Sequence, residues 1–233
     1  MKDTLKKLFD KYQIAYQEQQ IILLEKYYKI VITENEKFNL TTITEKNDFA
    51  LKHILDCCLI VNLIDKNCNV LDIGSGAGFP GIPLKIMRED LNIILLDSVN
   101  KKVNFLNETI NKLSLKNIVA IHDRAEDFAK SNREKFDVVC SRAVANLSTL
   151  SEYCLPFTKV NGKFIALKGS NYEEEIEQGK NAIKLLGGKI EDIKKVEIEE
   201  IQAVRANLII SKISPTPKTY PRGKNLPRLK PLF

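Results

Sequence analysis

The chain has 233 residues, of which 44% are hydrophobic and 28% charged, with a formal net charge of +6 and no tryptophan. This balance suits a globular protein with a substantial core rather than a disordered or membrane one. No apolar run reaches the roughly 20 residues of a bilayer-spanning helix, and Met1-Lys2-Asp3-Thr4-Leu5-Lys6 lacks the apolar segment of a signal peptide, so a cytoplasmic protein without membrane contact is expected.

The first stretch reads as helices: Ile21, Leu24, Tyr28, Val31 and Ile32 recur near a 3.6-residue period, as do Phe49, Ile54, Cys57, Cys58 and Val61. Between them lies Phe38-Asn39-Leu40-Thr41-Thr42-Ile43-Thr44, a break rich in capping residues, with Thr44 as the expected N-cap of the second helix. From residue 69 the pattern changes to short apolar runs at 70–73, 93–97, 118–121, 136–140 and 163–167, separated by helical stretches at 80–88, 100–113, 147–155 and 172–186. Alternation of this kind marks βαβ units and a doubly wound parallel sheet. Residues 190–198 and 206–213 read as two further strands joined by a short link, and so as an antiparallel pair. Five of the eight prolines follow, at 215, 217, 221, 227 and 231, and predict a tail without regular helix or central strand. From Lys212 onward there are six Lys or Arg and no Asp or Glu, so the tail alone accounts for the positive excess. The five cysteines, Cys57, Cys58, Cys68, Cys140 and Cys154, are odd in number and form no Cys-x-x-Cys pair, so neither a disulfide framework nor a metal site is expected.

The densest signal is Asp72-Ile73-Gly74-Ser75-Gly76-Ala77-Gly78, a glycine turn between a buried strand and a helix, where the backbone approaches a ligand closely and takes positive φ. Gly76 to Gly81 also satisfies the dinucleotide fingerprint G-x-G-x-x-G. Register argues against that reading: the glycine that closely follows the strand is Gly74, from which the third required glycine falls at Phe79. Asp72, two residues before Gly74, instead makes Asp-x-Gly-x-Gly-x-Gly, which resembles the class I methyltransferase motif. An acidic group below the turn suits the cationic amino-acid end of S-adenosyl-L-methionine; its alternative role is bonding to nearby backbone, since a buried carboxylate must find donors. Asp97 ends the second strand, where a carboxylate accepts from ribose hydroxyls. Ala125 and Glu126 follow the third strand, at the expected adenine position, although acids at a helix start need no ligand to explain them. His53 and His122 are expected to be structural rather than basic catalysts.

Asn39-Leu40-Thr41, His53-Ile54-Leu55-Asp56, the stretch 72–81 with its Gly78-Phe79-Pro80-Gly81, Ser141-Arg142-Ala143, Lys168-Gly169 and Tyr220-Pro221-Arg222 together resemble the bacterial glucose-inhibited division protein B family. The resemblance runs from about residue 20 to the end. It implies a Rossmann-like class I methyltransferase: a mostly parallel seven-stranded sheet with an antiparallel C-terminal strand, acting on N7 of one guanine in 16S ribosomal RNA. The chain then divides into an N-terminal helical extension (1–65), the methyltransferase domain (66–213) and a basic, proline-rich tail (214–233). Cofactor contacts are expected at Asp72, Gly74, Gly76, Gly78, Phe79, Asp97, Ala125, Glu126 and Arg142. Arg142 also stands where the fold faces its substrate, with a surface ion pair as its alternative role. RNA contacts are expected from Lys168, Tyr220, Arg222, Lys224, Arg228 and Lys230, with a packed or merely solvated tail as the alternative. The partner is 16S rRNA or the small subunit, and a monomer is expected.

The chemistry is consistent. Guanine N7 offers a free lone pair and has no proton to lose, so attack needs alignment rather than a general base. Ser141-Arg142-Ala143 stands where amino-group methyltransferases carry an Asn- or Asp-Pro-Pro-aromatic motif, and no Pro-Cys supplies a covalent nucleophile. The second reading is a small-molecule methyltransferase of the same fold with an incidental basic tail.

Overall fold

The computed structural model describes residues 1–142 and 145–233, so Ala143 of Ser141-Arg142-Ala143 lies outside the described residues. Seven strands, β1 (Asn69–Ile73), β2 (Asn92–Asp97), β3 (Ile118–His122), β4 (Phe136–Arg142), β5 (Thr158–Lys168), β6 (Gly188–Ile198) and β7 (Ala203–Lys212), form one sheet in the order β3-β2-β1-β4-β5-β7-β6. The first five are parallel, and β7 inserts antiparallel between β5 and β6. β1 is buried at every position except Asn69, as a central parallel strand covered on both faces must be. The outermost strand, β6, instead carries Lys189, Glu191, Lys194, Lys195 and Glu197, charges that discourage pairing with another chain.

Helices cover both faces. On one side lie α1 (Lys2–Lys11), α2 (Glu18–Asn35), α3 (Lys46–Phe49), a π-helical turn at Ala50–Leu55 that continues into α4 (Asp56–Cys58), α5 (Gly81–Met87) and α6 (Asn100–Lys112). Leu5, Phe9, Ile21, Leu24 and Tyr27 from the first two helices share one core with Val70, Ile82 and Leu95 of the sheet region. On the other side, α7 (Ala125–Asn132), α8 (Leu147–Cys154) and α9 (Tyr172–Leu185) bury Phe128, Leu147, Leu150 and Ile183 against Leu71, Val139 and Phe164. Alternating β1 residues thus feed the two cores, which is the period of two expected of a strand.

Three expectations need correction. The N-cap of α3 is Glu45, not Thr44: its carboxylate accepts from the N–H groups of Asn47 and Asp48, both at 2.8 Å, and a charged acceptor there also opposes the helix dipole. α7 is a helix that periodicity did not reveal, because only Phe128 and Ala129 of its eight residues are buried. The tail contains a single helical turn, α10 (Leu226–Leu229), in which Pro227 occupies the first turn, where its missing N–H costs nothing.

The tail is also firmly docked. Arg133 donates to the carbonyls of Thr216 (2.8 Å), Pro217 (3.3 Å) and Tyr220, Thr216 N–H donates to Glu134 (2.9 Å), and Thr149 Oγ1 donates to the carbonyl of Pro227 (2.9 Å). Asn225 takes the left-handed conformation (φ 57°) that asparagine tolerates.

Candidate active site

The sheet order reverses between β1 and β4, and the crevice outside their carboxyl ends is where open α/β sheets bind ligands. A cavity of about 420 Å³ opens there, walled by Gly74, Asp97, Ala125, Glu126 and Arg142 of the expected site residues, together with Tyr153, Asn225 and Arg228. Asp72, Gly76, Gly78 and Phe79 shape this cavity from behind and do not line it.

Their roles follow from geometry. Gly74, Gly76 and Gly78 have φ of 73°, 59° and 108°, values that side chains resist. A Cβ on Gly78 would also stand 2.8 Å from Ile82 Cδ1. Asp97 Oδ2 accepts from Gly76 N–H and Oδ1 from Val99 N–H, both at 2.9 Å, so the carboxylate braces the glycine turn while facing the cavity. Each of its oxygens keeps a second acceptor site for a ribose hydroxyl. Asp72 Oδ2 accepts from Gly81 N–H at 2.9 Å, the backbone role foreseen as its alternative, but Oδ1 is buried with no partner among the described residues. Burial raises this carboxyl to about 7. A desolvated, unpartnered carboxylate oxygen behind the positive-φ glycines suits a ligand whose cationic end lies on the other side of the turn.

Phe79 packs into the core: its ring lies 5.7 Å from Tyr27 and from Phe49, and stacks on His53 at 4.3 Å. Arg142 Cζ stands 4.6 Å from the Phe79 ring centroid, within cation–π range. The guanidinium of Arg142 donates to Lys52 O (3.1 Å), Asp56 Oδ2 (3.2 Å) and His53 Nδ1 (3.0 Å). Because an arginine only donates, His53 must accept at Nδ1 and carry its proton on Nε2, which then donates to Thr41 Oγ1 at 2.7 Å. Burial, with the Arg142 charge beside it, lowers His53 to about 3. It is a neutral orienting group with both nitrogens engaged, in keeping with a structural role. Arg205 Nε lies 3.2 Å from Asp56 Oδ1, so one carboxylate holds two guanidiniums at the carboxyl end of the sheet. The Asn39-Leu40-Thr41 segment is held by Asn35 Oδ1, which accepts from Leu40 and Thr41 N–H at 2.7 and 2.9 Å. Sequence reasoning left Thr41, Asp56 and Arg205 without roles and gave His53 only a structural one. Only the motif spellings around Thr41, His53 and Asp56 hinted at their association, and nothing local marked Arg205. His122 is exposed and lies 3.1 Å from the carbonyl of Ser98.

The expected RNA contacts divide. Lys168 is 6% exposed, and its ammonium donates to Ala145 O (2.8 Å) and Glu175 (2.6 Å), bracing the segment after β4. Arg222 forks onto Glu152, a fully buried carboxylate, and Tyr220 packs on the second core. Lys168 and Arg222 thus have their polar groups engaged inside the protein, and Tyr220 is half-buried. Lys224, Arg228 and Lys230 are exposed. Among the described residues no cluster of metal-ligating side chains is present, and no helix is long and apolar enough to cross a membrane.

The model of the rRNA small subunit methyltransferase G family matches residues 20–204. A ribosomal RNA small subunit methyltransferase G from Desulforamulus reducens is 49% identical, with 98% of this chain and 97% of that protein covered. One from Clostridium perfringens is 48% identical, covering 99% and 98%. Among solved structures, M. jannaschii TYW2 in complex with AdoMet shares the fold at a TM-score of 0.59 and 18% identity, covering 75% of this chain and 81% of that one. A SAM-dependent methyltransferase from Aquifex aeolicus gives 0.55 at 17% identity, covering 77% and 97%.

Proposed function

Because the chain belongs to the rRNA small subunit methyltransferase G family, we propose that it methylates N7 of one guanine in 16S rRNA. The cofactor is S-adenosylmethionine, whose sulfonium, when bound, supplies an electrophilic methyl group. Asp97 would receive the ribose, Ala125 and Glu126 the adenine, and Asp72 with the glycine turn the amino-acid end.

The observation that carries the N7 reading is the state of the groups beside Arg142. His53, the one imidazole packed against that arginine, has both nitrogens engaged and stays neutral, and Asp56 is held between two guanidiniums. Among the described residues no free base stands beside Arg142 to take a proton, and attack by the N7 lone pair requires none. A bound S-adenosylmethionine would supply the methyl group to N7 and leave as the neutral thioether, so the residues of this chain would have no proton to move. The protein's contribution is alignment: Arg142, fixed by four contacts, positions the base at the carboxyl end of β4. RNA phosphates would meet Lys224, Arg228 and Lys230, contacts that weaken with salt.

The test is transfer of labelled methyl from S-adenosylmethionine to small subunits, to naked 16S rRNA and to a metabolite panel, followed by mass mapping of the modified nucleotide. Label at a single N7-methylguanosine supports the proposal. Label only in a metabolite favours a small-molecule enzyme, and label at another atom of the RNA overturns the N7 assignment.

A further inference from the structure

The tail was expected to be an RNA arm, yet two of its residues, Asn225 and Arg228, are walls of the cavity assigned above to the cofactor. Asn225 is tied to that cavity from two sides. Its backbone N–H donates to Glu126 Oε1 at 3.2 Å, and its Oδ1 accepts from the hydroxyl of Tyr153, itself a wall residue, at 3.3 Å. With the amide oxygen turned to Tyr153, Nδ2, with two N–H donors, is unengaged among the described residues. Glu126 in turn spends Oε1 on Asn225 and keeps Oε2 as an unengaged acceptor among the described residues. The backbone supporting the pair is braced: Arg222 grips buried Glu152 three residues earlier, and Thr149 holds the carbonyl of Pro227 two residues later.

Glu126 and Asn225 thus bring a carboxylate acceptor and an amide donor to the wall of one cavity, and the base of the adenosine cofactor has an edge that meets both. Adenine presents its N6 amino donor next to a ring-nitrogen acceptor, the pattern that pairs with an acceptor and an amide N–H. We infer that Asn225 is an adenine-reading residue, donating from Nδ2 to a ring nitrogen while Glu126 Oε2 accepts from the N6 amino group, so that the C-terminal tail is part of the cofactor site. The inference rests on the reading of this cavity as the cofactor's. It assigns to a segment expected to serve RNA a direct part in holding the adenosine end. It also makes Glu126 doubly used, once to seat the tail and once to select the base.

The test is calorimetric titration of the full-length protein with S-adenosylhomocysteine, comparing wild type with Asn225→Gly and Asn225→Asp. Glycine removes the amide and still accepts the left-handed backbone, so folding is preserved. Aspartate keeps the size but replaces the donor with a charge beside Glu126. The expected result is binding weaker by about tenfold in Asn225→Gly and by more in Asn225→Asp, with RNA affinity unchanged in Asn225→Gly, since no cation has been removed. Thermal unfolding of each variant checks that the fold is intact. Wild-type affinity retained in a folded Asn225→Gly protein would overturn the role of Asn225. Failure of S-adenosylhomocysteine to bind the wild type would instead overturn the cofactor reading itself.

Discussion

Replacing Arg222 by alanine tests whether the tail is a structural part of the domain. Glu152 has no exposed surface and accepts from Arg222 at four places: the backbone N–H (2.8 Å), Nε to both oxygens (2.9 and 3.2 Å) and one terminal nitrogen (2.6 Å). The same guanidinium donates to the carbonyl of Lys230 at 2.8 Å, tying two parts of the tail together. Arg222→Ala deletes every side-chain bond and leaves a buried carboxylate with one backbone donor. Stranding a buried charge costs about 3–5 kcal/mol, and the surviving N–H places the expectation at about 3 kcal/mol. For a chain of this length that corresponds to a fall in Tm of about 6–12 °C. Thermal and urea unfolding measure it, and limited proteolysis should reveal early cleavage after Lys218. A fall in Tm below about 1 °C would refute the reasoning, because it would mean the tail is solvated and the ion pair contributes nothing. By the same logic, truncation after Lys212 should destabilise the domain and weaken cofactor binding as well as RNA binding.

Gly81→Ala should cost about 1–3 kcal/mol in urea unfolding, since the new Cβ would stand 2.2 Å from Leu95 Cδ2 and 2.8 Å from Asp72 Oδ2; an unchanged midpoint would contradict that crowding. Gly74→Val places a branched side chain at φ 73° on the cavity wall and should weaken S-adenosylhomocysteine binding on the order of 100-fold in calorimetry, with retained binding counting against the site. Two buried groups should oppose each other in the pH dependence of stability. His53, lowered from 6.5 to about 3, contributes stability that is present above pH 6.5 and lost as pH falls toward 3. Asp72, raised from 3.8 to about 7, does the reverse: the native state holds a proton the unfolded chain has released, so stability falls as pH rises from 3.8 to 7. Urea midpoints of the ligand-free wild type should therefore change little between pH 4.5 and 6.5. Asp72→Asn should unmask a loss toward acid and His53→Gln a loss toward neutrality; parallel profiles for all three proteins would exclude both assignments.

What the residue order alone determined is local. The central strands are legible because burial on both faces makes them nearly continuous apolar runs, as at residues 70–73. The glycine turn is legible because positive φ leaves so few residues to choose from. Tertiary structure decided which charges are free. Lys168, through the family resemblance, and Arg222, in the basic tail, read as RNA contacts; their partners Glu175 and Glu152 make them internal, and for Arg222 that partner is 70 residues away. Arg142 meets His53 and Asp56 across 89 and 86 residues, separations over which no periodicity carries information. The insertion of β7 between β5 and β6, and the seating of Asn225 on Glu126, are likewise products of long-range pairing. A sequence reports the intrinsic preference of each segment, whereas the donors and acceptors of a buried charge exist only after distant segments have been brought within 3 Å of one another.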